Sequence, residues 1–250
     1  MKMEFLRLTS VLRPATRWRL QTARCALKET GLHSVPSPKI CNLCNRESFF
    51  KPFGWPMRPE ACCPYCGSLE RHRLLKLWLD QNRTKLDGKR LLHFAPEGIV
   101  SDLMRAMLGR YVTADISPGY DLQIDIGNTA LPDESFDFVL CCHVLEHVPD
   151  VHAALAELRR IIAVGGSALL MVPIVEGWSK TYEDNTIVKP SEREQHFGQS
   201  DHLRYFGSDF RDFVSGAGFD LQEFTSEGPD VVRYGLYRGE KVFIATRPAM

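Results

Sequence analysis

The sequence predicts an α/β fold with a doubly wound, mostly parallel sheet, and two observations lead to this prediction. Short apolar runs at 91–94, 138–142 and 168–173 have the composition of strands that are covered on both faces. The segments after the first two runs carry apolar residues at helical spacing. Strands that alternate with helices form a parallel sheet, and such a sheet places its ligand crevice at the carboxyl ends of its strands.

The first predicted strand is followed by a loop that is poor in glycine, His93-Phe94-Ala95-Pro96-Glu97-Gly98. Apolar residues then recur at helical spacing as far as Leu108. A second strand at 111–114 ends at Asp115, about 20 residues past the loop, where an α/β nucleotide site places the carboxylate that receives ribose hydroxyls. A pyrophosphate could not approach this loop as closely as a dinucleotide site requires, which disfavours NAD as the ligand.

The rest of the predicted domain follows the strand at 138–142, which has His143 and Glu146 at its carboxyl end. The further elements are a helix at 151–162 stopped by Gly165-Gly166, the strand at 168–173, a long polar segment at 174–207, a helix at 208–215 and antiparallel strands at 219–224 and 241–246. A polar segment as long as 174–207 within a compact domain is usually a functional lid.

Two further motifs, Ser135-Phe136-Asp137 and Val144-Leu145-Glu146-His147, complete a pattern that resembles the class I S-adenosylmethionine-dependent methyltransferases of the type 11 branch. The resemblance covers roughly residues 88–250. It implies a seven-stranded Rossmann-like methyltransferase sheet and S-adenosylmethionine as the cofactor. It further implies a cofactor site in which Asp115 and Ile116 hold the ribose, Asp125 and Ile126 contact the adenine, and Cys142 and His143 line the crevice.

The first loop departs from the family pattern, which reads acidic-x-Gly-x-Gly-x-Gly. His93 replaces the acidic residue, and Ala95, Glu97 and Ile99 stand at the glycine positions. We expect His93, Ala95 and Glu97 to line the methionine end of the cofactor, with Ala95 permitting close approach and Glu97 pairing with the ammonium group. The alternative is a loop that has lost the cofactor, in a non-catalytic scaffold.

Methyl transfer to an oxygen acceptor also requires a base. His143 at the strand end and His202 in the predicted lid are the candidate catalytic residues, because imidazole titrates near neutral pH. His143 could instead only shape the pocket, and His202 could cap the following helix. Glu146-His147 is interpreted as fixing the start of a helix.

Four cysteines predict a metal site. Cys41-x2-Cys44 and Cys63-x2-Cys66 are separated by eighteen residues, a spacing that suits a zinc ribbon with a closed, structural four-thiolate site. Cys62 is the neighbour that could be mistaken for a ligand. After the second pair, Ser68 is expected to cap a bridging helix, and its Arg71-His72-Arg73 run is expected either to grip phosphate or to be the solvated start of that helix.

Three parts are therefore predicted: a basic segment at 1–40, the zinc ribbon and bridging helix at 41–84, and the methyltransferase domain at 85–250. Residues 1–84 carry 15 Lys and Arg against 6 Asp and Glu, whereas residues 85–250 carry 16 against 25. The basic part either docks on the acidic domain or meets an anionic partner such as RNA, a nucleotide-sugar or a membrane surface.

The first forty residues are interpreted as an amphipathic helix, a basic RNA-binding arm, a partly disordered segment or a transit peptide. No membrane span or secretory signal is predicted, and the other cysteines show no disulfide framework, so we expect a soluble cytoplasmic protein. The leading functional hypothesis is methyl transfer to a small molecule or saccharide, such as a sugar hydroxyl. The rival hypothesis is an RNA methyltransferase whose ribbon docks RNA.

Overall fold

The computed structural model describes residues 37–54, 56–108 and 110–249. Its strands are β1 (Lys39–Cys41), β2 (Arg46–Ser48), β3 (Lys51–Phe53), β4 (Arg58–Cys62), β5 (Arg90–Phe94), β6 (Arg110–Asp115), β7 (Leu122–Gln123), β8 (Phe136–Cys142), β9 (Ile162–Met171), β10 (Tyr182–Glu183), β11 (Arg204–Tyr205), β12 (Asp220–Phe224) and β13 (Val242–Thr246). Its helices are α1 (Glu70–Gln81), α2 (Arg83–Leu86), α3 (Gly98–Met107), α4 (Val151–Ile161), α5 (Pro190–Phe197), α6 (Phe210–Gly216) and α7 (Gly228–Tyr234).

Seven strands form the central sheet, in the order β12-β13-β9-β8-β5-β6-β7. β9, β8, β5, β6 and β7 are parallel, and β13 and β12 complete one edge in antiparallel pairing. The predicted doubly wound fold is therefore confirmed. Because β5, β6, β7 and β8 are parallel neighbours, their carboxyl ends meet at one edge of the sheet.

Each face of the sheet is covered by its own hydrophobic core. One core packs α1 and α3 against strand residues such as Leu91, Leu140 and Val242. The other packs α4 and α6 against residues such as Leu92, Val139 and Phe243. This three-layer packing explains why the strands read as continuous apolar runs, since both sides of each central strand are buried.

The boundary between α4 and β9 differs from the prediction. Gly165-Gly166 was expected to stop the helix, but α4 ends at Ile161 and both glycines lie inside β9. The β8–β9 pairing shifts register between Phe136 and Phe138 at this point. A Cβ at Gly166 would lie 2.4 Å from the carbonyl oxygen of Asp137, so the glycine permits a close approach between strands rather than ending a helix.

The predicted lid, residues 174–207, contains regular secondary structure and is not a continuous loop. It contains the short antiparallel pair β10–β11 and the helix α5, which ends at Gly198 with a left-handed φ of 80°. The segment between the two closing strands likewise contains a helix, α7, that the sequence interpretation did not include.

Two hairpins, β1–β2 and β3–β4, form the four-cysteine segment, and α1 joins it to the sheet as predicted. Ser68 does not cap α1, because the cap position is Leu69, whose amide donates to His72 Nδ1 at 3.1 Å. Nor is Arg71-His72-Arg73 solvated: Arg73 has no exposed surface, and His72 is also buried.

Within the described ranges, no helix combines the length and the apolar composition that crossing a bilayer would need. The predictions for the basic segment concern residues that lie almost entirely outside the described ranges, as does Cys25.

Candidate active site

The edge at which β5, β6, β7 and β8 end carries most of the predicted cofactor residues. Ala95 follows β5, Asp115 ends β6, Asp125 lies two residues past β7, and His143 follows β8. Ala95 and His143 both adopt left-handed backbone conformations, with φ values of 46° and 55°. Non-glycine residues rarely adopt this conformation, and such strain concentrates at functional sites. Ala95 thus keeps the backbone conformation that a glycine would adopt without strain.

The adenosine side of the edge is open. Asp115 Oδ1 accepts a hydrogen bond from the Ser117 amide at 2.7 Å, which orients the carboxylate and leaves its second oxygen for a ligand. Ile116 beside it is 69% exposed, an apolar surface of the kind that an adenine or ribose face would cover. Asp125 is exposed too, and the Gly127 amide donates to it at 2.7 Å. The Ile126 side chain is buried and belongs to the hydrophobic core.

The methionine side is filled by an ion-pair cluster from α1. Arg71 donates from Nε and from a terminal nitrogen to the two oxygens of Glu97, at 2.9 and 3.0 Å. His72 Nδ1 accepts the Leu69 amide, so its Nε2 carries the proton that it donates to Glu97. Burial alone would raise the pKa of Glu97, but the bonds from His72 and Arg71 lower it to about 2. The remaining cavity beside this cluster has a volume of about 10 Å³, room for one water molecule.

Glu97 was predicted to pair with the cofactor's ammonium, and here it is engaged by α1. The sequence interpretation missed Arg71 and His72 as site residues, although it noted their run of charge. The residue types nonetheless suit a methionine zwitterion, because a carboxylate and a guanidinium face each other at the expected end of the crevice. All nine cofactor assignments stay predictions, namely those of His93, Ala95, Glu97, Asp115, Ile116, Asp125, Ile126, Cys142 and His143.

His93 lies beneath this cluster and is 2% exposed. Its Nδ1 is 2.7 Å from the Tyr111 hydroxyl, and burial lowers its pKa to about 3. A histidine that stays neutral when folded but binds a proton when unfolded makes the protein less stable as pH falls below about 6.5. We expect this residue alone to cost about 2 kcal/mol of unfolding free energy at pH 5.

The test compares urea unfolding of the native protein and His93→Gln between pH 6.5 and 4.5. The pH slope should be shallower in His93→Gln, whereas His152→Gln, at an exposed histidine, should keep the native slope. Equal slopes in all three proteins would contradict a buried neutral His93.

The acceptor side of the edge holds His143. Its Nδ1 lies 3.2 Å from Glu146 Oε1, and its Nε2 is buried without a hydrogen-bond partner in the described part of the chain. Glu240, which the sequence interpretation did not single out, is near this group, and burial raises the pKa of its carboxyl to about 7. Burial raises the pKa of the Cys142 thiol as well, so that thiol stays protonated and is a poor nucleophile.

His202 is buried, with Nδ1 3.1 Å from the Phe197 carbonyl, and burial lowers its pKa. It does not cap a helix, because α6 begins only at Phe210. Nor do Glu146 and His147 start a helix, since α4 begins at Val151 with Asp150 as its cap. His147 and His202 stack edge to face, with ring centroids 4.6 Å apart.

The four predicted metal-ligating cysteines converge. Cys41 and Cys66 have Sγ atoms 3.5 Å apart, and those of Cys44 and Cys63 are 3.8 Å apart. A tetrahedral zinc ion with bonds of about 2.3 Å places its sulfurs about 3.8 Å apart. Gly67 follows the second pair with a φ of 74°, as predicted, and Asn45 occupies the same position after the first pair with a φ of 55°. The donor set and its geometry therefore fit zinc.

Comparison with known proteins agrees with this architecture. Residues 95–170 match the family model described as a methyltransferase domain. No curated protein matches the sequence. Among solved structures, the YcgJ protein of Bacillus subtilis is 13% identical over 71% of this chain and 100% of its own, with a TM-score of 0.50.

Two other similar structures illustrate the range of the fold. The [4+2]-cyclase SpnF is 16% identical over 72% of this chain and 82% of its own, with a TM-score of 0.50. An S-adenosylmethionine-dependent methyltransferase from Mesorhizobium loti is 14% identical over 69% of this chain and 96% of its own, with a TM-score of 0.49. At such identities a structural likeness shows the fold alone, and one of these relatives is a cyclase.

The family match, by contrast, spans the segment that contains Ala95, Asp115, Asp125 and His143. It includes four of the parallel strands, and the sheet places all four residues at one edge. The chain thus contains a type 11-like class I methyltransferase domain and is an S-adenosylmethionine-dependent methyltransferase.

Proposed function

We propose that this methyltransferase acts on a hydroxyl oxygen of a small-molecule or saccharide acceptor. The observation that carries this proposal is the aromatic character of the lid. Trp178, Tyr182 and Tyr205 form an edge-to-face aromatic group there, and Trp178 is exposed. Aromatic faces suit apolar or sugar rings.

The cofactor itself supplies an electrophilic methyl group on a sulfonium. The protein's contribution is alignment of the acceptor with that methyl, worth roughly 7–11 kcal/mol in effective-molarity terms. We assign to His143 the role of receiving the hydroxyl proton. Its Nε2 is buried and has no hydrogen-bond partner among the described residues, and its Nδ1 lies 3.2 Å from Glu146 Oε1.

At the other end, Glu97 would hold the ammonium group of the methionine moiety and Arg71 would hold its carboxylate, in place of the bonds that the two side chains make to each other. Such an exchange would conserve charge pairing, so α1 would act as a clamp on the methionine end, while Asp115 would hold the ribose hydroxyls.

The clamp predicts that two ligands respond differently to substitution. Glu97→Gln and Arg71→Met should each weaken S-adenosylmethionine at least about 30-fold, the equivalent of about 2 kcal/mol for a charge-assisted hydrogen bond. Methylthioadenosine lacks the amino-acid group, so its affinity should not change in these variants. Asp115→Ala should weaken both ligands. Isothermal titration calorimetry gives all of these affinities.

Asp102→Asn, at an exposed residue of α3, is the matched control and should bind both ligands normally. An unchanged S-adenosylmethionine affinity in both clamp variants would refute the roles of Glu97 and Arg71. If the native protein gives no binding heat with either ligand, the non-catalytic scaffold is favoured instead.

RNA methylation is the second candidate, and its support is the basic composition of residues 1–84. Ribosomal RNA binding that weakens steeply with salt, at affinities well above those for simple glycans, would favour it over the saccharide acceptor.

We also propose that Cys41, Cys44, Cys63 and Cys66 bind a structural zinc ion, and that the protein is cytoplasmic. All four thiols point to one centre, leaving no open position for chemistry. The described cysteines form no disulfide, as suits a reducing compartment.

A further inference from the structure

A second group of metal-ligating side chains lies where the lid meets the segment after β8. Glu146, His147 and His202 each offer one ligand atom, and these atoms all lie within 4.8 Å of one another. Glu146 has no exposed surface and His202 is 4% exposed. The sequence places His202 more than fifty residues from the other two, so tertiary structure alone brings the three together.

The cluster contains an acceptor atom that protein groups do not satisfy. Glu146 Oε1 lies 3.2 Å from His143 Nδ1, but Oε2 is buried without a hydrogen-bond partner in the described part of the chain. Leaving a buried carboxylate oxygen unpaired is costly, by about 1–3 kcal/mol or more for a charged group. A cation at this point would remove that cost.

Both histidines are oriented to present a lone pair. His202 Nδ1 lies 3.1 Å from the Phe197 carbonyl oxygen, so Nδ1 carries the proton. The lone pair of Nε2 is therefore available to bind a metal ion. His147 Nδ1 lies 3.3 Å from Asp201 Oδ2. A carboxylate on the far nitrogen is the arrangement that commonly orients a metal-bound imidazole.

The backbone holds this geometry in place. The Leu203 amide donates to the Glu146 carbonyl at 2.9 Å. The Arg204 guanidinium, itself buried, donates to the carbonyls of Leu145, Val148 and Pro149 at 2.6–3.2 Å. Leu203 and Arg204, which immediately follow His202, therefore hold the lid against the segment after β8. These hydrogen bonds preorganise the side chains of Glu146, His147 and His202.

We propose that Glu146, His147 and His202 form a binding site for a divalent first-row transition-metal ion on the acceptor side of the crevice. Two imidazoles and one carboxylate favour ions such as manganese, iron or zinc over magnesium or calcium. Three protein ligands leave coordination positions open. His147 and Asp201 are partly exposed, so an ion and an acceptor can enter from that side.

A metal ion at this site would activate the hydroxyl group of the acceptor for methylation. This role of the metal rests on the proposed function. A bound cation lowers the pKa of a coordinated hydroxyl, as it does for coordinated water. The hydroxyl proton leaves the site for solvent. An oxygen lone pair forms the new O–CH₃ bond while the methyl–sulfur bond breaks, and its electron pair stays on sulfur as S-adenosylhomocysteine is released.

The test uses Mn²⁺ as the probe, because a four-thiolate site binds this hard ion poorly. Titration of the full-length protein, followed by electron paramagnetic resonance without cofactor or acceptor, should show one bound Mn²⁺ per chain. Glu146→Gln and His202→Gln should each weaken it at least about 100-fold, since they remove a direct ligand. His196→Gln, at an exposed lid histidine that contacts Tyr182 instead, should bind Mn²⁺ as the native protein does.

Thermal melting and S-adenosylmethionine titration of each variant show whether it is folded. Folded variants that retain Mn²⁺ affinity, or a native protein that binds none, overturn the site. Because the probe is measured without cofactor, loss of S-adenosylmethionine binding with Mn²⁺ binding intact would count against the proposed function and not against the metal site.

Discussion

Cys63→Ser is expected to abolish zinc binding in the ribbon and to unfold it. The four-thiolate site stabilises a segment whose own core is only Cys41, Phe50 and Cys63 with a few neighbours. So small a core cannot hold the fold without the metal, and structural zinc sites of this kind contribute about 10–16 kcal/mol of apparent binding free energy. Zinc per chain, measured by mass spectrometry, should fall by about one equivalent, and the ribbon's amides should lose their protection from hydrogen exchange.

The effect should also reach the cofactor. Arg71 and His72 lie on α1, directly after the ribbon, and they contact Glu97. If the ribbon unfolds, α1 loses its anchor and S-adenosylmethionine should bind more weakly. The proposed zinc ion would then be coupled to catalysis through packing, without taking part in the chemistry.

Cys62→Ser is the matched control for this experiment. The Cys62 thiol donates to the carbonyl of Cys63 at 3.7 Å, and Cys62 is not a member of the group of four converging cysteines. It should retain zinc and native stability. Full zinc occupancy in Cys63→Ser, or its loss in Cys62→Ser, would contradict the assigned ligand set.

Arg73→Met is expected to be the most destabilising substitution outside the metal site. The Arg73 side chain has no exposed surface, and its guanidinium donates to four backbone carbonyls, those of Ala61, Ser68, Tyr234 and Gly235, at 2.6–2.8 Å. It also stacks on the Phe50 ring at 4.5 Å. It thereby joins the ribbon, the start of α1 and the end of α7.

Methionine fills similar volume but leaves those carbonyls without donors. We expect a loss of about 3–5 kcal/mol in unfolding free energy, as is typical when one partner of a buried charged network is removed. Urea denaturation measures this loss. Arg46→Met, at an exposed arginine stacked on Tyr65, should change stability by less than about 0.5 kcal/mol. Equal losses in the two variants would mean that the Arg73 network is not the link between the ribbon and the domain.

Arg73 also illustrates why a charged run is difficult to interpret. Three consecutive basic or titratable residues suggested a solvated helix start or a phosphate grip. In the structure all three have internal partners: Arg71 and His72 bind Glu97, and Arg73 binds carbonyls. Nothing in the local sequence distinguishes a guanidinium that faces water from one that faces buried carbonyls, because two of those carbonyls, of Tyr234 and Gly235, lie 161 and 162 residues away along the chain.

Local sequence pattern was sufficient to predict the sheet and the convergence of the four cysteines. The strands β5, β6, β8, β12 and β13 lie within a residue or two of the predicted runs. Apolar periodicity reports burial directly, and two cysteines with two residues between them need only one turn to converge. The exception, Gly165-Gly166, was misread because the same dipeptide serves a helix end or a close strand contact.

By itself, the amino-acid sequence determined the layer architecture, the order of the strands along the chain, the edge where carboxylates and His143 gather, and the four thiols of the ribbon. Each of these depends on residues that are neighbours in the chain or on the shared direction of parallel strands. Tertiary structure alone decided that α1 contacts Glu97, and that His202 lies near Glu146 and His147. Those contacts join side chains separated by about 25 and more than fifty residues, and only the packing of the lid and of α1 against the sheet brings them together.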